Sequence, residues 1–315
     1  MRRILVSVVS TALAVTALLA SPAMASTATW TVVAGADGVT NGVFDGRSGN
    51  AFYPGRLAAH AGDTIAFNVT SPHTVTFNRP PGTPLPALFG PPNGTTLNTK
   101  GQFLNSGFNP AAFQPYTFSV TLGNSLAPGR YEYICALHIG MRGVIDIVPS
   151  SVVLPQTDLD AERSRQMAHD LATAARAADK ATEWVQNNPL TVLAGAGTRR
   201  VTNLRFFPST ITIKAGQSIT FLKTNDPTEP HTATFGGEPP NPFGPTTPPF
   251  VVPGSGPVST GAMVTQRQYD FYIASSLGVP SAVTSATIRF TTPGTYHYIC
   301  TIHDLAGMVG TVIVN

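Results

Sequence analysis

Cysteine is nearly absent. The 315 residues hold two, enough for a single bridge and too few for a disulfide framework. Charge is scarce as well: Asp, Glu, Lys and Arg make up 11% of the chain and form no basic block. That excludes a nucleic-acid partner, because phosphate binding relies on clustered Lys and Arg. Beyond the first 25 residues no stretch is apolar for long enough to span a bilayer.

The amino-terminal stretch is of another kind. A basic "MRR", an apolar "ILVSVVSTALAVTALLA" and a small-residue "SPAMA" follow in the order of a secretory signal, with cleavage expected near Ala25. No cysteine follows the apolar run to carry a lipid. The expected mature chain is exported, periplasmic or extracellular, and has no membrane span. Losing Arg2 and Arg3 lowers the formal charge from +3 to +1. With 29 Gly and 28 Pro, the composition suits loop-rich β structure, and the length suffices for two ordinary cores.

An internal repeat organises what remains. "TVVAGADGVTN" (31–41) returns as "TVLAGAGTRRVTN" (191–203), and "YPGRLAAHAGDTIAF" (53–67) as "FPSTITIKAGQSITF" (207–221). "PHTVTF" (72–77) returns as "PHTATF" (230–235), and "PGRYEYICALHIGMRGVIDIV" (128–148) as "PGTYHYICTIHDLAGMVGTVIV" (293–314). Period-two alternation around Ala-Gly and Pro-Gly turns predicts six to eight short strands per copy, an all-β Greek-key sandwich used twice. The proline-rich stretches "RPPGTPLPALFGPPNG" and "EPPNPFGPTTPPFVVPGSGP" read as ordered loops, since repeated Pro forbids central strands.

Between the copies the period changes to that of a helix. Met167, Leu171, Ala174, Ala178, Ala181 and Val185 form a narrow apolar stripe, with Thr157 and Asp160 in a capping-box arrangement at the start and Pro189 as the stop. The expected division is a signal over 1–25, one β domain over 26–150, a helical linker over 151–189 and a second β domain over 190–315. The stripe is expected to lie against a domain or a partner chain.

A disulfide would account for two cysteines in an exported protein, but not for their neighbours. Cys135 is followed by His138 and Met141, and Cys300 by His303 and Met308. With seven histidines in the chain, a histidine three residues after both cysteines arises by chance roughly once in two thousand. Each copy also has an upstream Pro-His, at His73 and His231. Two imidazoles, a thiolate and a thioether are a soft donor set suited to copper. Three strong ligands with a weak thioether accept both Cu(I) and Cu(II) with little rearrangement.

These segments resemble the cupredoxins, the small type 1 blue copper proteins. "CTIHDLAGMVG" resembles the plastocyanin ligand loop and "CALHIGMRG" the tighter amicyanin loop. The resemblance covers both copies and omits the linker. It implies two copper ions per chain, one held by His73, Cys135, His138 and Met141, the other by His231, Cys300, His303 and Met308. It implies electron transfer with redox-protein donors and acceptors rather than catalysis. The family commonly has Asn after the first histidine, where Thr74 and Thr232 stand here. His138 and His303 are expected near the surface, ringed by Leu137, Ile139 and Gly140 and by Ile302, Leu305 and Ala306. His60, His169 and His297 read as polar residues, and Tyr133 and Tyr298 as core.

Two other functions compete. A two-domain copper oxidase or nitrite reductase-like enzyme would carry a histidine directly beside the cysteine, whereas Ile134, Ala136, Ile299 and Thr301 flank these two. Copper storage or delivery uses exposed Met-rich or Cys-rich sites, and this chain has six Met, two of them in the expected signal.

Overall fold

The structure is a computed structural model describing residues 27–70, 72–108, 115–152, 154–223, 225–274 and 278–315. The expected signal segment lies outside the described residues. Among those described, no helix is long and apolar enough to cross a membrane.

The repeat is visible in the strand pairing. Thr29–Thr40 pairs antiparallel with Val43–Tyr53 and parallel with Thr64–Val69. In the second copy Thr191–Gly197 makes the same two pairings with Val201–Phe207 and Ser218–Leu222. Facing each of these layers is a five-stranded sheet. In the first copy its order is Arg56–Ala59, Arg142–Ile147, Gly129–Ile134, Thr76–Phe77 and Leu104–Asn105. In the second it is Thr210–Ile213, Val309–Val314, Gly294–Ile299, Thr234–Phe235 and Val258–Ser259.

Each sandwich closes on an aromatic cluster. Phe52, Phe67 and Phe77 surround Tyr133, and Phe206, Phe221 and Phe235 surround Tyr298, with ring centroids between 4.6 and 5.3 Å of the tyrosine. Both tyrosines are buried core residues, as their strand face predicts. Three of the six pairs are edge-to-face and three tilted, and such packing adds to what simple area burial supplies.

The halves are not two separate beads. Val43–Tyr53 pairs antiparallel with Val201–Phe207, Val201 against Gly49 and Asn203 against Arg47. This joins the inner layers into one ten-stranded sheet. The pairing satisfies backbone groups that would otherwise be free sheet edges.

The linker forms helix Gln156–Gln186, 31 residues long, and lies across the joint against Thr29–Thr40, Val43–Tyr53, Thr191–Gly197 and Val201–Phe207. Its stripe divides between the two copies. Met167 and Leu171 pack on Ala36, Ala51 and Tyr53, while Ala178, Ala181 and Val185 pack on Leu193, Ala196 and Phe207. Small side chains let the helix approach the sheet closely.

Asp170 ties all three parts together. It accepts from Tyr53 Oη at 2.8 Å and pairs with Arg200 at 2.8 Å. The expected capping box at Thr157 does not form, because the helix begins two residues earlier, at Gln156 behind Pro155, with no side-chain cap. Proline's fixed φ and missing N–H suit it to a helix start.

A second helix, Gln266–Ala274, was not anticipated in the stretch after the second proline-rich loop. Its signal is legible in hindsight. Thr265 and Gln268 form a reciprocal capping pair, Thr265 N donating to Gln268 Oε1 at 3.0 Å and Gln268 N to Thr265 Oγ1 at 3.3 Å.

Candidate metal centres

Both cysteines are buried and free, so no disulfide joins them. Each sits instead beside two histidines. His73, Cys135 and His138 bring one ligand atom apiece within 4.8 Å of the others, and so do His231, Cys300 and His303.

The inward atom is Nδ1 in every case. Cys135 Sγ lies 3.4 Å from His138 Nδ1 and 3.8 Å from His73 Nδ1. Cys300 Sγ lies 3.4 Å from His303 Nδ1 and 4.0 Å from His231 Nδ1. All six residues are buried. Burial alone would push each thiol up, but the charges and hydrogen bonds of the flanking histidines overcome it and hold Cys135 and Cys300 well below the usual thiol range. A thiolate held between two imidazole nitrogens is a donor set that fits copper.

The backbone explains how the loops converge. Cys135 directly follows strand Gly129–Ile134, and Cys300 directly follows Gly294–Ile299. Cys135 N donates to the Met141 carbonyl and Cys300 N to the Met308 carbonyl, each at 3.0 Å, closing both ligand loops despite their different lengths. Met141 and Met308 are buried in the same clusters as their cysteines.

The first histidines need the Ala-Gly-Ala repeat. A register shift falls at Gly35 and another at Gly195, both with left-handed φ, +90° and +79°. A β-carbon there would come within 2.5 Å of His73 Nε2 and 2.2 Å of His231 Nε2. The repeated glycine thus makes room for the repeated histidine.

Thr74 and Thr232 take over the tie between the two ligand segments. Thr74 Oγ1 accepts from Ala136 N at 2.8 Å, and Thr232 Oγ1 accepts from Thr301 N at 2.9 Å. Their backbone amides each point at the cysteine sulfur from 3.4 Å.

One expectation is overturned. His138 and His303 are not surface residues; they are 4% and 3% exposed. The sheet joint turns the two ligand loops toward each other, so their Nε2 atoms face the contact between the halves. Leu137 and Ile302 line a cavity of about 310 Å³ there, with Leu85, Phe89, Phe243 and Tyr272. Of the expected ring, Gly140 and Leu305 are exposed, Leu305 at 71%, and the rest are half-buried.

The remaining histidines lie apart from both centres. His60 Nε2 contacts the Val152 carbonyl at 2.9 Å, His297 Nδ1 contacts Thr311 Oγ1 at 3.1 Å, and His169 is exposed on the linker helix.

Sequence reasoning passed over two acids. Glu229 lies 2.9 Å from His138 Nε2 and 3.5 Å from His303 Nε2. Asp226 lies 3.0 Å from His231 Nε2. Burial would push both carboxyls up, but the histidines hold both below the ordinary range, Glu229 well below it. A signal was present: ten positions separate Phe221 from His231 where six separate Phe67 from His73, and both acids fall within the longer segment.

Comparison with known proteins agrees with this chemistry. Residues 190–315 match the family described as copper binding proteins, plastocyanin/azurin family. Over 112 residues the chain is 35% identical to a chloroplastic plastocyanin of Tetradesmus obliquus, covering 36% of this chain and 59% of that protein. It is 32% identical, also over 112 residues, to the plastocyanin of Scenedesmus fuscus, covering 36% of this chain and 88% of that one. Among solved structures, a fern plastocyanin variant matches 40% of this chain and 99% of its own at 25% identity and a TM-score of 0.22. An amicyanin variant in the Cu(I) state matches 41% and 83% at 18% identity and a TM-score of 0.26. Scores this low add nothing to the fold described above. The donor set and the sequence match converge: the chain belongs to the plastocyanin/azurin family of copper-binding proteins.

Proposed function

We propose that this chain is an exported one-electron carrier with two type 1 copper sites. His73, Cys135, His138 and Met141 hold one ion, and His231, Cys300, His303 and Met308 hold the other. Residues 26–150 and 190–315 are the two copper domains, and 151–189 the linker that fixes them to one sheet.

The observation that carries this reading is the pair of buried His-Cys-His groups, each within 4.8 Å. Bound copper supplies a one-electron couple. The chain's part is to hold the donors still. His73 and His231 are anchored against glycine bulges, the cysteines at the ends of strands, and the loops by the threonine hydroxyls, so little rearrangement accompanies a change of charge. Burial excludes water from the thiolate. Redox proteins are the donor and acceptor.

Spectroscopic titration with copper tests it. Two ions per chain should bind with an intense blue band that a one-electron reductant bleaches reversibly. Cys135→Ser and Cys300→Ser should each remove about half the band and one ion; a band left intact by either change sinks that assignment. Turnover of oxygen or nitrite, with a further copper, would move the chain to the oxidase reading. Colourless uptake of Cu(I) alone would move it to delivery.

A further inference from the structure

Glu229 offers no ligand atom to either group, yet it touches both. Oε1 lies 2.9 Å from His138 Nε2, in the first half, and Oε2 lies 3.5 Å from His303 Nε2, in the second. Each histidine turns Nδ1 toward its own cysteine, at 3.4 Å, which leaves Nε2–H as the donor to the carboxylate. The residue is 5% exposed, and Asn50 Nδ2 donates to Oε1 at 2.7 Å from the opposite half.

Burying a carboxylate between two domains is costly unless each oxygen is satisfied. Here, besides Asn50, the partners that satisfy it are ligand candidates of two different centres. The route from Cys135 to Cys300 therefore consists of His138, one carboxylate and His303. An electron crossing this route meets bonded atoms and two close polar contacts, of 2.9 and 3.5 Å, in place of an open gap.

We propose that the His138–Glu229–His303 bridge passes single electrons between the two copper sites, so that one chain equilibrates them internally. This rests on the two-site reading above. In each event the ion of one site is oxidised by one electron and the ion of the other is reduced by one. No proton leaves the bridge, because the carboxylate accepts from both rings before and after.

The test uses the full two-copper protein. Less than one equivalent of a fast one-electron reductant is delivered, and redistribution between the sites is followed optically at several protein concentrations. A first-order phase independent of protein concentration is expected. In Glu229→Ala it should slow by about tenfold or more, since a water or a gap replaces the bonded bridge. Asn50→Ala, which keeps the carboxylate but frees it, should slow it less. Dipolar coupling between the two Cu(II) ions, read by EPR, should be unchanged in both variants, showing that the halves have not moved apart. Redistribution that scales with protein concentration, or a rate unaltered in Glu229→Ala at unchanged coupling, overturns the bridge. Should the wild-type chain not form two blue sites, the two-site reading fails instead.

Discussion

The two halves repeat the same strand pairings, glycine bulges and His-Cys-His triads, yet the rims of their metal groups differ. His73 Nε2 is buried with no hydrogen-bond partner, whereas His231 Nε2 meets Asp226 at 3.0 Å. Asp37, which feels the charge of His73, is nonetheless pushed up by burial, while Asp226 is held below its ordinary range in spite of burial by the bond to His231 and the charges of His231 and Lys223. Lys223 is itself fully buried, with Nζ 2.5 Å from the Asp226 carbonyl, and burial lowers it to about 8. Duplication thus preserved the donors while a longer segment in one copy rebuilt their surroundings. The same longer segment supplies Glu229, so it both distinguishes the second site and reaches a histidine of the first.

The strongest way to break this comparison is through what the halves share. Gly35→Ala and Gly195→Ala each force an L residue into left-handed backbone and a methyl against a histidine. Each should cost on the order of 2–5 kcal/mol, read by urea unfolding, and should impair copper binding in its own half. Equal copper affinity in both halves of either variant would show that the bulge does not position the histidine.

Asp226→Asn sharpens the difference. A carboxylate on Nε2 makes an imidazole a stronger ligand and favours the higher oxidation state. Its neutralisation should raise the second site's potential by about 60 mV, the one-electron equivalent of a tenfold shift in equilibrium, and leave the first site's unchanged. A redox titration resolving the two bands checks both halves of that statement.

A smaller, symmetric effect is expected from Thr74→Val and Thr232→Val. Each leaves one amide without its acceptor, that of Ala136 buried and that of Thr301 half-buried, at about 1–3 kcal/mol in denaturant unfolding. Unequal costs would trace to the second loop, where Thr232→Val also removes the 3.1 Å contact between Thr232 Oγ1 and Thr301 Oγ1.

The smallest effect concerns a hairpin that is long only in the first half. Asp45 is lowered from 3.8 to about 2, chiefly by the Arg47 hydrogen bond. A depressed carboxyl contributes stability that is present above its ordinary value and is lost as pH falls through the folded one. Arg47→Ala should therefore slightly reduce stability at neutral pH and make no difference below about 2. Thermal unfolding at the two pH values would show it.

Much of this was legible before any coordinates. Period-two runs give the strands, because alternate side chains of a half-buried strand face water. Cys135, His138, Cys300 and His303 fall close together in sequence, and their spacing alone suggests metal. Helix Gln266–Ala274 was missed although its Thr265–Gln268 cap is local, because the proline-rich surroundings masked the signal. The burial of His138 and His303 could not be read, since it depends on a sheet joint made by three residue pairs with no motif of their own.

What the sequence determined by itself is the local chemistry: two copies, two sulfur-and-imidazole donor sets and a helix between them, all encoded within short windows by spacing and period. Tertiary structure alone decided that the copies share one sheet, that Asp170 pins the helix across it, and that Glu229 reaches a histidine in each half. Those contacts join residues as far as 179 positions apart, as for Asn50 and Glu229, and a carboxylate's partner at that range is set by how the domains dock, which no local pattern records.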